Sequence, residues 1–110
     1  MPAFAIANLS KVQFGEEIAE YLRRIDDTLV PFKGTFCVHG ASPEVVEGRW
    51  AEATVIIEFP DLDHARAWYQ SPAYQEILPL RTRNSEGSAI LIDGVDPGYR
   101  ASSLLAKLGL

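Results

Sequence analysis

With a single cysteine, Cys37, the chain has no internal disulfide, and nothing in it calls for an oxidising compartment. Basic residues are few: ten Lys and Arg stand against fifteen Asp and Glu, for a net charge of −5. A surface of that sign repels phosphate backbones and anionic lipid, which argues against nucleic-acid and membrane-surface roles. No apolar run approaches the roughly 20 residues that a membrane span needs. The stretch from Met1 to Asn8 is apolar but too short, and too poor in basic flanking residues, for a signal core, so a cytoplasmic protein is expected. There are two histidines, and no HxH, HExxH or cysteine cluster, so no metal site is expected. A glycine-rich phosphate loop and a Gly-x-Ser-x-Gly elbow are also missing, and no cofactor is expected.

What is present is ordinary for a globular domain: 110 residues, 47% hydrophobic and 23% charged. One domain fits that length. Ala3 to Leu9 reads as a strand. Phe14, Ile18, Tyr21, Leu22, Ile25 and Leu29 form the stripe of an amphipathic helix near Gln13 to Thr28, stopped by Pro31. Thr35 to His39 and Ala51 to Phe59 read as strands joined by a long loop. Asp61 is placed to cap a second helix, and Ser71-Pro72 to restart it, with Pro79 kinking or ending it. Ser88 to Asp93 is the last strand. The order β-α-β-β-α-β is that of the ferredoxin-like split unit, an α+β sandwich with a four-stranded antiparallel sheet in the order 4-1-3-2. Residues 1–95 form this domain and 96–110 a C-terminal extension, in which Leu104, Leu105 and Leu108 share one side of a short helix.

Both helices of such a unit cover one face of the sheet. The strands read apolar on both faces, so Phe4, Ile6, Ile56 and Leu91 are expected on the helix-free side. Each aliphatic side chain left in water forgoes about 1.5–3 kcal/mol. A second copy of the chain, sheet against sheet around a common interior, is the simplest cover. The alternative is that the tail folds back as a lid.

Ile57-Glu58-Phe59-Pro60, Ala65-Arg66-Ala67-Trp68-Tyr69, Ser71-Pro72-Ala73-Tyr74-Gln75, Leu80-Arg81 and Leu91-Ile92-Asp93-Gly94-Val95 together resemble the domain-of-unknown-function family numbered thirteen-thirty. Tyr21, Gly34 and Glu47-Gly48 with Trp50 match it as well, and the likeness covers about residues 3 to 95. The resemblance implies a dimeric α+β barrel, related in shape to small cofactor-free monooxygenases and stress-response proteins, with no established reaction. His39-Gly40 replaces an arginine-glycine pair common in such sequences, and the chain runs on to Leu110.

Two residues are candidates for acid–base work. His39 closes the second strand beside the long loop, where a side chain titrating near neutrality suits proton transfer; a half-exposed strand-end residue is the alternative. Glu58 follows three apolar residues, and burial there would raise its pKa into a useful range; solvation at the strand end, or pairing with Arg81 or Arg83, is the alternative. The two belong to opposite ends of the sheet. Asn8, Tyr21, Trp50, Trp68, Tyr69 and Arg81 are candidate ligand contacts, with core packing the alternative for the aromatics and a helix-end role for Arg81. Cys37 reads as a buried, inert side chain. Two functions remain open: a cofactor-independent enzyme acting on a small organic molecule in the barrel interior, and a non-catalytic ligand-binding or stress-associated homodimer.

Overall fold

The apolar run from Ala3 to Leu9 has no proline, so its backbone can pair on both edges. In the computed structural model, which describes residues 1–110, that strand, β1 (Ala3–Ser10), lies inside the sheet. It leads into α1 (Glu16–Leu29) and a single 3-10 turn at Val30–Phe32. β2 (Thr35–Val38) and β3 (Ala53–Phe59) follow, then α2 (Leu62–Gln70), α3 (Pro72–Thr82), β4 (Glu86–Asp93) and α4 (Ser103–Leu108). The strand order is β2-β3-β1-β4, all antiparallel, as the sequence predicts. This is the ferredoxin-like sandwich.

The helix breaks follow local chemistry. Asp61 accepts from the His64 amide at 2.8 Å and caps α2. Ser71 accepts from the Tyr74 amide at 3.3 Å, and Pro72 occupies the first turn of α3. Pro79 neither ends nor interrupts α3, which continues to Thr82. Buried Tyr74 and Ile77 hold that helix on the core despite the lost donor. The core lies between sheet and helices. Phe59, Ile77, Trp68 and Ile25 are almost fully buried there.

Two expectations are overturned. The sheet is open: β2 and β4 lie at opposite edges with no pairing between them, so it is not closed into a barrel. The barrel expected from the apolar strands and from the family resemblance is not formed. The apolar face was also misassigned by one residue in β4. Leu91 stands opposite Ala5, on the helix side, where it packs against the core. The helix-free side of β4 carries Ile90 and Ile92, 51% and 46% exposed, beside Ile6 and Phe4. A one-residue shift moves every side chain of a strand to the other face. That side is mixed rather than uniformly apolar, because Asn8, Thr54, Glu58 and Ser88 share it. The tail helix α4 forms as expected, but it does not act as a lid: none of its residues is buried, and Leu104, Leu105 and Leu108 stay exposed. Cys37 is exposed at the edge strand, not buried.

Candidate functional site

The helix side of the sheet is floored by small residues. Ala5 and Ala7 on β1 and Ala89 on β4 leave the helices standing off from the strands at one end. There the fold encloses a cavity of about 690 Å³, within the usual range of roughly 300–1,000 Å³ for small-molecule sites. Of its 28 lining residues 21 are hydrophobic, so the body of any occupant must be apolar. The cavity opens where β1 and β2 end and β3 and β4 begin, between Val12 and Phe14 on one side and Gly40, Ala41 and Ser42 on the other. The neighbouring wall is fastened by polar bonds. The Gln13 amide donates to the Asn84 carbonyl at 2.8 Å, Arg83 donates to Glu17, and the Asn84 side-chain amide donates to Glu17 at 3.0 Å. Arg83, with Asn84, holds the Glu17 carboxyl below the usual range.

Deeper in, the tyrosines of α1 and α3 meet. Tyr21 and Tyr74 share a hydrogen bond of 2.7 Å between their hydroxyls, with the rings edge to face at 6.1 Å. Tyr74 packs in turn on Trp68 at 4.1 Å and on Tyr69 at 5.6 Å. Trp68 is anchored from behind: its indole N–H donates to Thr28 Oγ1 at 3.0 Å, and Thr28 donates to the Ile25 carbonyl at 2.7 Å. Arg81 lies seven residues after Tyr74, two turns along the same side of α3, and lines the cavity with the two phenols. Burial works against its charge, but the phenols outweigh that and keep the guanidinium pKa raised. Burial, and then the Tyr74 neighbour, push the Tyr21 phenol well above its ordinary value of about 10.

That shift has a measurable consequence. Below pH about 10 the Tyr21 phenol is neutral in both folded and unfolded chains and costs nothing. Above it the unfolded chain loses the proton and the folded chain keeps it, so stability falls with rising pH, by up to about 1.4 kcal/mol per unit. Chemical denaturation between pH 9 and pH 11.5 should show the wild type losing stability relative to Tyr21→Phe; parallel curves would mean that Tyr21 ionises freely.

The structure sorts the sequence candidates by place. Tyr21, Trp68, Tyr69 and Arg81 line the cavity. His39, just past the end of β2, is exposed but also lines it, stacked on Phe36 at 4.7 Å and 22°. Asn8 and Trp50 do not line it. They belong to a chain of bonds in which the Trp50 indole N–H donates to Thr54 Oγ1 at 2.7 Å and Thr54 donates to Asn8 Oδ1 at 3.3 Å. Glu58 is exposed at the opposite end, beside Phe4 on the helix-free side. The common interior between two sheets, where a site was expected, is replaced by a cavity inside one subunit, between its sheet and its helices. Tyr74, which with Trp68 and Tyr69 flanks the Ser71-Pro72 break, lines the cavity as well. No group of three His, Cys, Asp or Glu side chains is arranged to hold a metal ion.

The family model described as domain of unknown function, DUF1330, matches residues 2–95. The chain belongs to the DUF1330 family. No curated protein matches the sequence. Among solved structures, the RPA0582 protein of unknown function from Rhodopseudomonas palustris superposes with a TM-score of 0.64 at 17% identity, over 87% of this chain and 84% of that one. A dimeric ferredoxin-like protein of unknown function from Jannaschia sp. CCS1 gives 0.56 at 12% identity, over 87% and 100%. A variant of SnoaB, a cofactor-independent oxygenase from Streptomyces nogalater, gives 0.53 at 13% identity, over 90% and 98%. At these identities the likeness establishes the fold of this DUF1330 chain and leaves its chemistry to its own residues.

Proposed function

We propose that this DUF1330 protein binds, and acts on, a small and largely apolar organic molecule held between the sheet and the helices of one subunit. The cavity of about 690 Å³ carries the reading. In it Tyr21, Trp68, Tyr69 and Arg81 contact the ligand, and His39 at the mouth is the group placed for proton transfer. Glu58, Asn8 and Trp50 lie off the cavity and have no part in it. SnoaB, described as a cofactor-independent oxygenase, supports the idea that this fold can house chemistry without a cofactor. Trp68 provides the test. In a Trp50→Phe background its emission alone reports the cavity, and a naphthalene-type probe should quench it saturably. Ala7→Phe, which fills the floor, should abolish the quenching while leaving the far-UV circular dichroism unchanged. Quenching that survives Ala7→Phe would place the probe elsewhere and end the proposal.

A homodimer joined through the helix-free sheet face is the second part of the reading. Phe4, Ile6, Ile56, Ile90 and Ile92 group there without cover from α4. The Jannaschia protein, described as dimeric, supports it. Sedimentation equilibrium should give twice the chain mass of 12.1 kDa, and Ile90→Glu should give the monomer. A wild-type monomer at 100 µM (about 1 mg/mL), or an Ile90→Glu dimer, would contradict it.

A further inference from the structure

The helix-side wall of the cavity has a chemical bias that its apolar lining does not explain. The chain has seven arginines. Arg23, Arg24, Arg66 and Arg83 each lie within 4.0 Å of a carboxylate, and Arg49 and Arg100 are exposed to water. Arg81 alone is both half-buried and without a carboxylate partner, in a chain with fifteen acidic residues to draw on. Its neighbours at the cavity wall are the Tyr21 and Tyr74 hydroxyls. One hydroxyl proton serves the bond between the two tyrosines. The other has no acceptor among the protein's hydrogen bonds. Guanidinium N–H groups and one spare O–H therefore share one cavity wall, and no carboxylate is paired with them. A guanidinium beside a spare O–H, with no anionic acceptor in the set, is complementary to an oxyanion and repels an ammonium group.

We propose that Arg81, Tyr21 and Tyr74 form a recognition head for a carboxylate, so that the ligand is a hydrophobic monocarboxylic acid whose apolar body lies along Ala7, Val55 and Leu91. This rests on the cavity being the binding site, and it narrows the ligand class. A planar carboxylate matches the fork of a guanidinium in a way that a point anion does not. Arg81 is the one lysine or arginine lining the cavity, and Glu52, its one carboxylate, is exposed and accepts from the Lys11 amide, so the site suits one negative charge. A phosphate monoester would bring a second charge with no partner.

The experiment uses matched probes: benzoate, 2-naphthoate and octanoate, each against its neutral primary amide, titrated calorimetrically into the full chain. At least one acid should bind the wild type tenfold or more tightly than its amide. Arg81→Met should remove that preference and leave the amide's affinity within twofold. Tyr21→Phe should reduce the preference by a smaller factor. Acid and amide of equal affinity, both blocked by Ala7→Phe, would overturn the carboxylate head and leave the cavity reading standing. A preference that survives Arg81→Met would likewise overturn it. If no acid and no amide binds, both readings fall together.

Discussion

Phe59→Ala is expected to lower the stability of the protein by about 3–5 kcal/mol, a large share of the roughly 5–15 kcal/mol that holds a domain of this size together. Phe59 ends β3 and is 1% exposed. Its ring packs on Trp68 at 5.4 Å and approaches Gly34, where an added methyl group would come within 2.8 Å of the ring edge. Three elements therefore meet at this one side chain: β3, α2 and the turn that leads into β2. Deleting it opens a hole that the glycine cannot fill and that Trp68, tied to Thr28, cannot lean into. The closed end of the sandwich lies here, opposite the cavity mouth. Urea denaturation should show the midpoint falling sharply with an unchanged slope. A loss under 1 kcal/mol would mean that the core is not organised around this ring.

Gly87→Ala is the second large effect, and it acts through the backbone. Gly87 has φ +144 near the start of β4, opposite Leu9, a conformation that residues with a Cβ rarely adopt. A methyl group there would meet the Asn8 carbonyl oxygen at 1.9 Å. Neither atom can rotate away, since one is fixed on its Cα and the other belongs to the central strand. Strain of this kind costs about 1–3 kcal/mol even before the clash, so the first pairs of the β1–β4 ladder must open. The cavity floor at Ala7 and Ala89 is the next pair along that ladder beyond Asn8 and Ser88. Hydrogen exchange should therefore show the Asn8 to Ser10 and Glu86 to Ala89 amides losing protection first, and probe binding should weaken with them. Full protection in the variant would mean that β1 and β4 do not approach each other as described.

The element order was legible because each element announces itself locally. Asp61 and Ser71-Pro72 are caps with a direct chemical signature, and both act as expected. The faces of the strands were not legible in the same way. Ala89, Ile90, Leu91 and Ile92 are all apolar, and a run without alternation does not say which residue points where. The register against β1 decides it, and register is set by pairing across residues distant in the chain. The expectation of closure failed for a related reason. It was drawn from greasiness on both sides of the strands, whereas closure depends on what happens at the edges, and β2 and β4 remain edges. The placing of the helix-borne candidates and of the strand-borne Asn8 and Glu58 follows from their elements. Tyr21, Trp68, Tyr69 and Arg81 belong to helical stripes that face the sheet, and the cavity lies on that side. Asn8 and Glu58 depend on strand orientation, and both point to the helix-free side.

The claim on which the functional account rests is that the ligand enters the subunit between sheet and helices. Methyl chemical-shift mapping with 2-naphthoate tests it most directly. The account predicts shifts at Ile18, Ile25, Val55 and Leu91 that saturate together, with Ile6, Ile90 and Ile92 moving less. Shifts centred on Ile90 and Ile92, with Val55 and Leu91 unmoved, would put the molecule on the outer face of the sheet and contradict it.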